Sequence, residues 1–473
     1  MGGLLTLVKI ILILTKVLCN SFIILYRKMS KLIQRKLMDN LLESLDKKFI
    51  SILVGPRQVG KTTLLKMLIQ EIEKKTHKKI IYLNLDDVTI RARLSQDPVE
   101  LRREIERRIG KPLIRLKDKL FLIIDEAQKA SSVFEPVKII YDDFAEKVKI
   151  FLSGSSSMDI QRNVSETLAG RIRLYRMTGF SLGEILRDAE FISNPWGIVK
   201  DIVADNFSIP RAKKLQSQIW PHRDSVNTFI EKLLLFGSLP AVCVQLEEEE
   251  RWFILRDYIS VYLEKDIRTL SQIGNLDQFQ RVYSSLMFQN GGMLNINNIA
   301  NDLNMSRDSV RKYIDIMQSS FLVNKIRPCS RKLKTRLTKA SKLYFFDQGI
   351  VNYTLRLTSV EALKSAQKLG TAMETLVLNE MMSEGFNLSL PPEVCYLRDY
   401  QGHELDFVLK NKNTCVIEVT TSRKIGKDKW RNLNYFTQYS KKSNIFVVGN
   451  FEEFKEIEKE GKTLFAIPTW LWF

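Results

Sequence analysis

Apolar residues fall into short unbroken runs near the amino end and into spaced patterns further along. Residues 49–54, 120–124 and 148–152 are nearly continuous apolar stretches, and 79–85 is a further run of this kind. Such runs predict strands buried on both faces. From about 180 to 290 the period changes. Residues 227–236 and 251–270 carry apolar side chains three and four apart, which predicts helices, and Gly237-Ser-Leu-Pro240 separates them. Tyr262, Glu264, Asp266 and Arg268 lie along the second helix and read as part of a packed helix with a charged outer face. Ile296, Ile299, Ala300 and Leu303 predict a short helix, Asn304 and Met305 a turn, and Ser306 the N-cap of a longer helix whose dipole Asp308 favours. That helix would bury Val310, Tyr313, Ile314, Met317 and Phe321. Beyond it, 344–349 predicts a strand and turn, 370–382 a helix, and 394–398, 404–409 and 415–420 three strands.

The chain has 473 residues, more than one core usually serves, so several domains are expected. Hydrophobic residues at 45% and charged residues at 27% exclude a mainly disordered polymer. The formal charge of +19 favours an anionic partner: nucleic acid, a membrane surface or phosphates. Five scattered cysteines without a CxxC pair, and three histidines, argue against a disulfide framework and a zinc site. They suit a reducing, cytoplasmic setting. Residues 5–26 are strongly apolar, but Lys9 and Lys16 would each cost about 2.5–3.5 kcal/mol near a bilayer centre. No basic residue precedes this run and no A-x-A-like site follows it, which counts against a secretory signal. Three readings of residues 1–28 stay open: an over-extended start ahead of Met29, a membrane anchor, and a packed helix.

The chemistry begins where the first run ends. Residues 55–63 read GPRQVGKTT between a strand and a Leu-rich helix, the context that a G-x-x-x-x-G-K-T loop requires. Gly55 and Gly60 let the backbone of Pro56, Arg57, Gln58 and Val59 turn its N–H groups toward phosphate, and the helix opening at Lys61, Thr62 and Thr63 adds its positive end. Lys61 is expected on the β- and γ-phosphates of ATP and the Thr62 hydroxyl on Mg²⁺. The run at 120–124 ends in Asp125 and Glu126, a Walker B pattern in which Asp125 holds Mg²⁺ and Glu126 polarises the attacking water. Ser153 or Ser155, leaving the strand at 148–152, could sense the γ-phosphate. Arg171 could reach it as an arginine finger, in cis or from a neighbouring subunit, or could form a structural ion pair. Asp86 and Asp87 read as a solvated turn.

With these residues in hand, GPRQVGKTTLL, FLIIDEAQKA, FLSGSSS and LAGR resemble the AAA+-type P-loop ATPases of archaea and bacteria, whose core is usually fused to a C-terminal domain of uncharacterised function. The likeness runs from about residue 29 to the C-terminus. It implies a parallel sheet with the Ser153 strand between the Walker A and Walker B strands, and the roles just given for Gly55, Gly60, Lys61, Thr62, Asp125 and Glu126. It sets the family's GR pair on Gly170 and Arg171. It also implies ATP rather than GTP, because no guanine-reading NKxD follows.

Two further modules follow. The short helix, turn and longer helix, with Arg307, Ser309, Arg311 and Lys312 outward, form a winged-helix pattern suited to duplex DNA or to a protein partner. Its basic run comprises Lys325, Arg327, Arg331, Lys332, Lys334, Arg336, Lys339 and Lys342. Glu374, Asp406 and Glu418 are similar to the acids of the restriction-endonuclease-like core, D then E-x-K with an earlier helical acid. There they would hold Mg²⁺. Thr420 occupies the lysine position, leaving Lys424 on the neighbouring turn as the substitute and a degenerate binding domain as the expectation over an active nuclease.

The expected fold class is therefore α/β. A P-loop NTPase three-layer parallel sheet (29–210) follows the extension (1–28). A helical and winged-helix domain (211–340) and a C-terminal α/β restriction-endonuclease-like domain (341–473) complete the chain. The expected function is a Mg²⁺-dependent ATPase that moves its appended domains, with further copies of the chain, as a homo-oligomer, among its candidate partners. The alternatives are a DNA-binding protein with a slow nucleotide switch and a membrane-tethered ATPase.

Overall fold

The computed structural model describes residues 32–76, 78–155, 167–188, 197–262, 275–329, 340–436, 443–459 and 461–473. Five strands form the first sheet: β1 (Ile50–Val54), β2 (Ile80–Asn84), β3 (Leu120–Asp125), β4 (Val148–Gly154) and β5 (Ile172–Arg176). Their order is β2-β3-β4-β1-β5 and every pairing is parallel. The strand bearing Ser153 thus lies between the strand feeding the glycine loop and the strand ending in Asp125.

The continuous apolar runs are explained by layering. Ile50, Ile52 and Val54 face one core, where α2 (Val88–Gln96), α3 (Glu100–Ile109) and α4 (Phe134–Phe144) supply Leu94, Leu101, Ile105, Phe134 and Val137. Leu53, Phe121, Ile123 and Phe151 face the other, against Leu64, Leu65 and Leu68 of α1 (Lys61–Lys75). A strand covered on both faces has no polar side to display. Asp87 does more than sit in a turn: its carboxylate caps α2, accepting from Thr89 N at 2.8 Å.

Helices α5 (Arg223–Phe236), α6 (Glu248–Val261) and α7 (Leu276–Phe288) follow. Then come α8 (Ile296–Asp302), α9 (Arg307–Ser319) and β6 (Val323–Pro328), with β7 (Lys342–Phe345) antiparallel to β6. As the sequence predicts, Ser306 caps α9 through Ser309 N (3.0 Å), and Asn304 takes the left-handed turn conformation. Val310, Tyr313, Ile314 and Met317 are buried, and Ile316 joins them. Tyr262 is buried, while Glu264, Asp266 and Arg268 lie outside the described residues.

The C-terminal half contains α10 (Leu369–Gly385), β8 (Glu393–Arg398), β9 (Glu404–Lys410), β10 (Thr414–Val419), α11 (Lys427–Tyr435), β11 (Asn444–Gly449), β12 (Lys455–Lys459) and β13 (Lys462–Pro468). Its mixed sheet runs β12-β13-β11-β10-β9-β8-β6-β7. Because β6 and β7 are strands of this sheet, a boundary at 340/341 falls inside it. Arg327 pairs with Cys395 in parallel register, and Cys329 N donates to Tyr396 O at 2.8 Å. This register brings Cys329 and Cys395 together as a disulfide across 66 residues. The expectation of unpaired thiols is corrected for these two; their separation gave no hint of the pairing. Among the described residues no helix is long and apolar enough to cross a membrane. Residues 1–28, on which the anchor question turns, lie outside them.

Candidate functional site

The loop between β1 and α1 is drawn tightly over the end of β5. A Cβ on Gly55 would lie 2.2 Å from Met177 O, so only glycine fits this crossing. Gly60 caps α1 at φ 94°, a left-handed conformation that glycine adopts without strain. Lys61, buried in the first turn, donates to Gly55 O at 3.0 Å and Pro56 O at 2.7 Å. Its ammonium is thereby folded over the loop's own main chain. Thr62 and Thr63 occupy the same turn of α1.

Three neighbouring strands converge on Asp125. It has no solvent exposure. Tyr82 from β2 donates its hydroxyl to Oδ2 at 2.9 Å, and Ser153 from β4 donates to Oδ1. Burial first, and then the Asp125 charge, push the Tyr82 phenol well above its ordinary value. Glu126 follows in the left-handed region at φ 56°, its N–H donating to Ser153 Oγ at 3.0 Å. Its carboxylate accepts from Gln128 Nε2 at 2.6 Å, and the same nitrogen donates to Ser155 Oγ at 3.0 Å. Gln128 went unnoticed in the sequence; its place two residues beyond the acidic pair was the available signal.

Beside the loop, Leu32, Gly60, Thr63, Met67, Phe180 and Leu246 line a mainly apolar cleft of about 760 Å³. Arg35 braces it. Its guanidinium donates to Val59 O (3.2 Å), Thr178 O (2.7 Å) and Gly179 O (3.1 Å) and pairs with Glu184.

Arg171 does not reach this centre within its own chain. Ile50 N donates to Arg171 O, so Arg171 sits where β1 begins, whereas the loop leaves where β1 ends. At about 3.3 Å per residue the two ends lie about 13 Å apart. Its guanidinium pairs with Asp142 at 2.6 and 3.0 Å. The arginine at the loop end is Arg176, opposite Val54. Its guanidinium bonds Asn324 Oδ1 (3.0 Å) and lies 3.8 Å from the Phe386 ring centroid. Its main chain exchanges two bonds with the Asn387 amide, each 3.0 Å.

The C-terminal acids also meet. Lys429, from α11, contacts both Asp406 Oδ2 and Glu418 Oε2 at 2.5 Å. Val419 N donates to Asp406 at 2.8 Å, and Asp406 N to Glu418 at 3.1 Å. Tyr344 donates to Glu374 at 2.8 Å, and buried Lys342 pairs with Glu404. Burial, and then the Asp406 charge, push Glu374 and Glu418 upward. For Asp406 burial acts upward too, but the Lys429 and Lys342 ammoniums outweigh it and hold it below its ordinary range. Lys424 is exposed and is not the lysine of this cluster. Among the described residues no group of three His, Cys, Asp or Glu side chains is placed to hold a metal ion, and Lys429 sits on two of the three acids matched to the nuclease core.

On the helix-turn-helix, Arg307, Arg311 and Lys312 are exposed. The basic run is less available than its sequence suggested. Lys325 pairs with Asp315 at 2.8 Å, and Lys342 belongs to the acid cluster. Arg331, Lys332, Lys334, Arg336 and Lys339 lie outside the described residues.

With this geometry established, comparison with known proteins defines the class. Residues 47–186 match the AAA domain family, and with the strand order they form a P-loop NTPase domain of the AAA+ type. Residues 227–361 and 369–471 match two domains of unknown function, DUF8612 and DUF4143. The chain is 23% identical over 362 residues to an uncharacterized protein of Mycobacterium tuberculosis, covering 76% of this chain and 67% of that one. It is 20% identical over 441 residues to an uncharacterized protein of Haemophilus influenzae, covering 92% and 97%. Among solved structures, Cdc6p from Pyrobaculum aerophilum is similar at 12% identity and a TM-score of 0.26, covering 71% of this chain and 96% of that one. A superposition that loose carries no structural argument.

Proposed function

We propose that this chain is a Mg²⁺-dependent ATPase whose nucleotide cycle moves the helical and C-terminal modules. The observation that carries the reading is the strand order: β3, β4 and β1 are parallel neighbours, so Asp125, Ser153 and the Gly55–Lys61 loop leave the sheet along one edge, with Ser153 bonded to both Asp125 and Glu126. Gly55, Pro56, Arg57, Gln58, Val59, Gly60, Lys61, Thr62 and Thr63 cradle the triphosphate, and the apolar cleft beside Gly60 takes the base.

The donor set suits Mg²⁺, a hard ion that prefers oxygen and keeps several waters. Thr62 and Asp125 would hold it. Both Asp125 oxygens also accept from hydroxyls, which hold the carboxylate in place. When bound, the ion neutralises charge building between the β- and γ-phosphates. Lys61 swings from the Gly55 and Pro56 carbonyls onto the γ-phosphate. Glu126 takes the proton of the attacking water. Ser155 and Ser153 line the strand between them. An arginine finger from Arg171 would have to act on a neighbouring copy. Coupling outward is supported by Arg176, whose two bonds to Asn387 and one to Asn324 tie the loop end of β5 to the C-terminal half.

Calorimetry and phosphate release test this. Lys61→Ala should abolish turnover and weaken ATP binding at least about tenfold. Glu126→Gln should keep binding and lower turnover by about 10²–10⁴. Hydrolysis at the parent rate in the latter would remove Glu126 from its role.

Duplex DNA is the proposed anionic partner, bound by a winged helix formed by α8, α9 and the β6–β7 pair. The exposure of Arg307, Arg311 and Lys312 favours it. Reversing Arg311 and Lys312 to Glu should weaken duplex binding about tenfold or more and flatten its salt dependence. An unchanged salt slope would point the face to a protein instead.

A further inference from the structure

A groove of about 1060 Å³, open to solvent, lies between α5, the short helix Val360–Ser365 and the β12 end of the C-terminal sheet. Its volume lies at the top of the range of small-molecule pockets, about 300–1,000 Å³, which suits a short length of polymer. Side chains alternate along a strand. On β12, Lys455, Ile457 and Lys459 line the groove, while Glu456 and Glu458 do not. Charge that merely protects a sheet edge has no need to be sorted by sign; here the cations are gathered on one face. Arg423 and Lys424, on the turn before α11, and Lys364 line the same space, exposed and without ion-pair partners among the described residues. With Arg223 the lining holds six basic side chains against four acidic ones. Of those acids, Asp224 is matched by Arg223 at 3.5 Å and Glu453 by Lys455 at 3.0 Å, leaving Glu231 and Glu452.

The lining also has an apolar part. Ile425, Trp430 and Ile457 pack on the core of the sheet yet stay partly exposed. Lys459 Nζ lies 4.7 Å from the centroid of the Trp430 six-membered system, so a cation and an aromatic surface are presented side by side. A ligand that matches both features carries repeated negative charge and flat apolar surface. A duplex keeps its base faces inside the stack and offers mainly phosphate to such a groove. An acidic peptide brings charge without a planar ring at each unit. An unpaired nucleic-acid strand brings both, because its bases can be laid on an aromatic side chain while its phosphates meet lysine and arginine.

We propose that this groove binds single-stranded nucleic acid, with Lys364, Arg423 and Lys424 on its phosphates and Trp430 against its bases. The site is separate from the helix-turn-helix offered to duplex DNA. In the sheet order β12 lies six strands from β6, against which α9 packs. At about 4.8 Å per strand that is about 29 Å. The proposal does not rest on the ATPase reading and stands or falls by itself.

The test uses the full chain without nucleotide and a fluorescently labelled oligothymidylate of about 12 nucleotides, followed by anisotropy across a range of salt. The parent should bind it. Arg423→Glu together with Lys424→Glu should weaken binding at least about tenfold and make the plot of log affinity against log salt shallower by about 1.4, the share of two phosphate contacts. Trp430→Leu should weaken binding about tenfold with the salt slope unchanged, and should remove quenching of tryptophan fluorescence that the oligomer causes in the parent. Arg423 and Lys424 are exposed, so their reversal decides the matter even where Trp430→Leu disturbs the fold. Arg311→Glu with Lys312→Glu should leave the oligomer's affinity within about twofold. A parent that does not bind the oligomer, an affinity unmoved by the Arg423 and Lys424 reversal, or a folded Trp430→Leu protein with parent affinity and quenching would each overturn the proposal. Displacement by a polyglutamate of equal charge as readily as by unlabelled oligothymidylate would overturn it in favour of an acidic peptide. Loss of binding on reversal of Arg311 and Lys312 would overturn it by moving the strand to the helix-turn-helix.

Discussion

At Asp125 both carboxylate oxygens accept from uncharged hydroxyls, and the ammonium of the glycine loop is turned onto main-chain carbonyls. At Asp406 an ammonium lies directly on the carboxylate and on Glu418 beside it. The two centres share strand-borne acids, deep burial and a lysine from a neighbouring helix. They differ in where the lysine's charge goes. A carboxylate steadied by neutral donors keeps its charge for an incoming cation. One already matched by an internal cation has little to gain from another, because the desolvation of both charges has been offset within the fold. Two acidic clusters that look alike as sequence thus have different prospects as metal sites.

The strongest way to break this comparison is to take the internal cation away. Lys429→Met should destabilise the C-terminal sheet by about 3–5 kcal/mol, because it strands Asp406 and Glu418 in the core. Adding Glu418→Gln should recover much of that loss. A denaturant midpoint unmoved by Lys429→Met would mean that the ion pair does not govern the cluster.

A smaller effect follows from Glu374, which burial and then the Asp406 charge push upward. A group whose folded pKa is raised gives its full stability below the ordinary glutamate range and loses it as pH rises toward the folded value. Glu418 shifts in the same direction. Stability should therefore fall between about pH 5 and pH 7.5, by on the order of 1–3 kcal/mol. Glu374→Gln should flatten that slope, since the amide oxygen still accepts from Tyr344. Thermal melts across this range would show it, and an unchanged slope in the variant would clear Glu374.

The smallest test sharpens the other side. Tyr82→Phe removes one of the two hydroxyls on Asp125 and should cost about 1 kcal/mol in stability. It should also change the affinity for Mg·nucleotide by a few-fold, read by calorimetry. No change in either would mean that Ser153 alone is enough to hold the carboxylate.

Contiguous features were legible in the sequence. The glycine loop, the apolar run ending in Asp125 and Glu126, and the Ser306 cap each need only a few neighbouring residues to declare themselves. Features set by register were not. The parallel pairing of β1 with β5 puts Arg171 at one end and Arg176 at the other, and no local pattern distinguishes them. Lys429 rather than Lys424 meets the acids because Lys429 lies in the first turn of α11, whereas Lys424 lies in the exposed segment before that helix begins. Lys342 looked like one more member of a basic run until the pairing of β7 carried it to Glu404. Tyr82 and Gln128 matter through hydrogen bonds between separate elements or across a turn, which residue type alone does not announce.

The strand β6 is hydrogen-bonded on one side to β7 and on the other to β8, and the Cys329–Cys395 bond rivets its far end. Helix α9, packed against β6, and the large sheet are consequently cast as one piece. A truncation at residue 340 would tear that casting and leave a raw sheet edge.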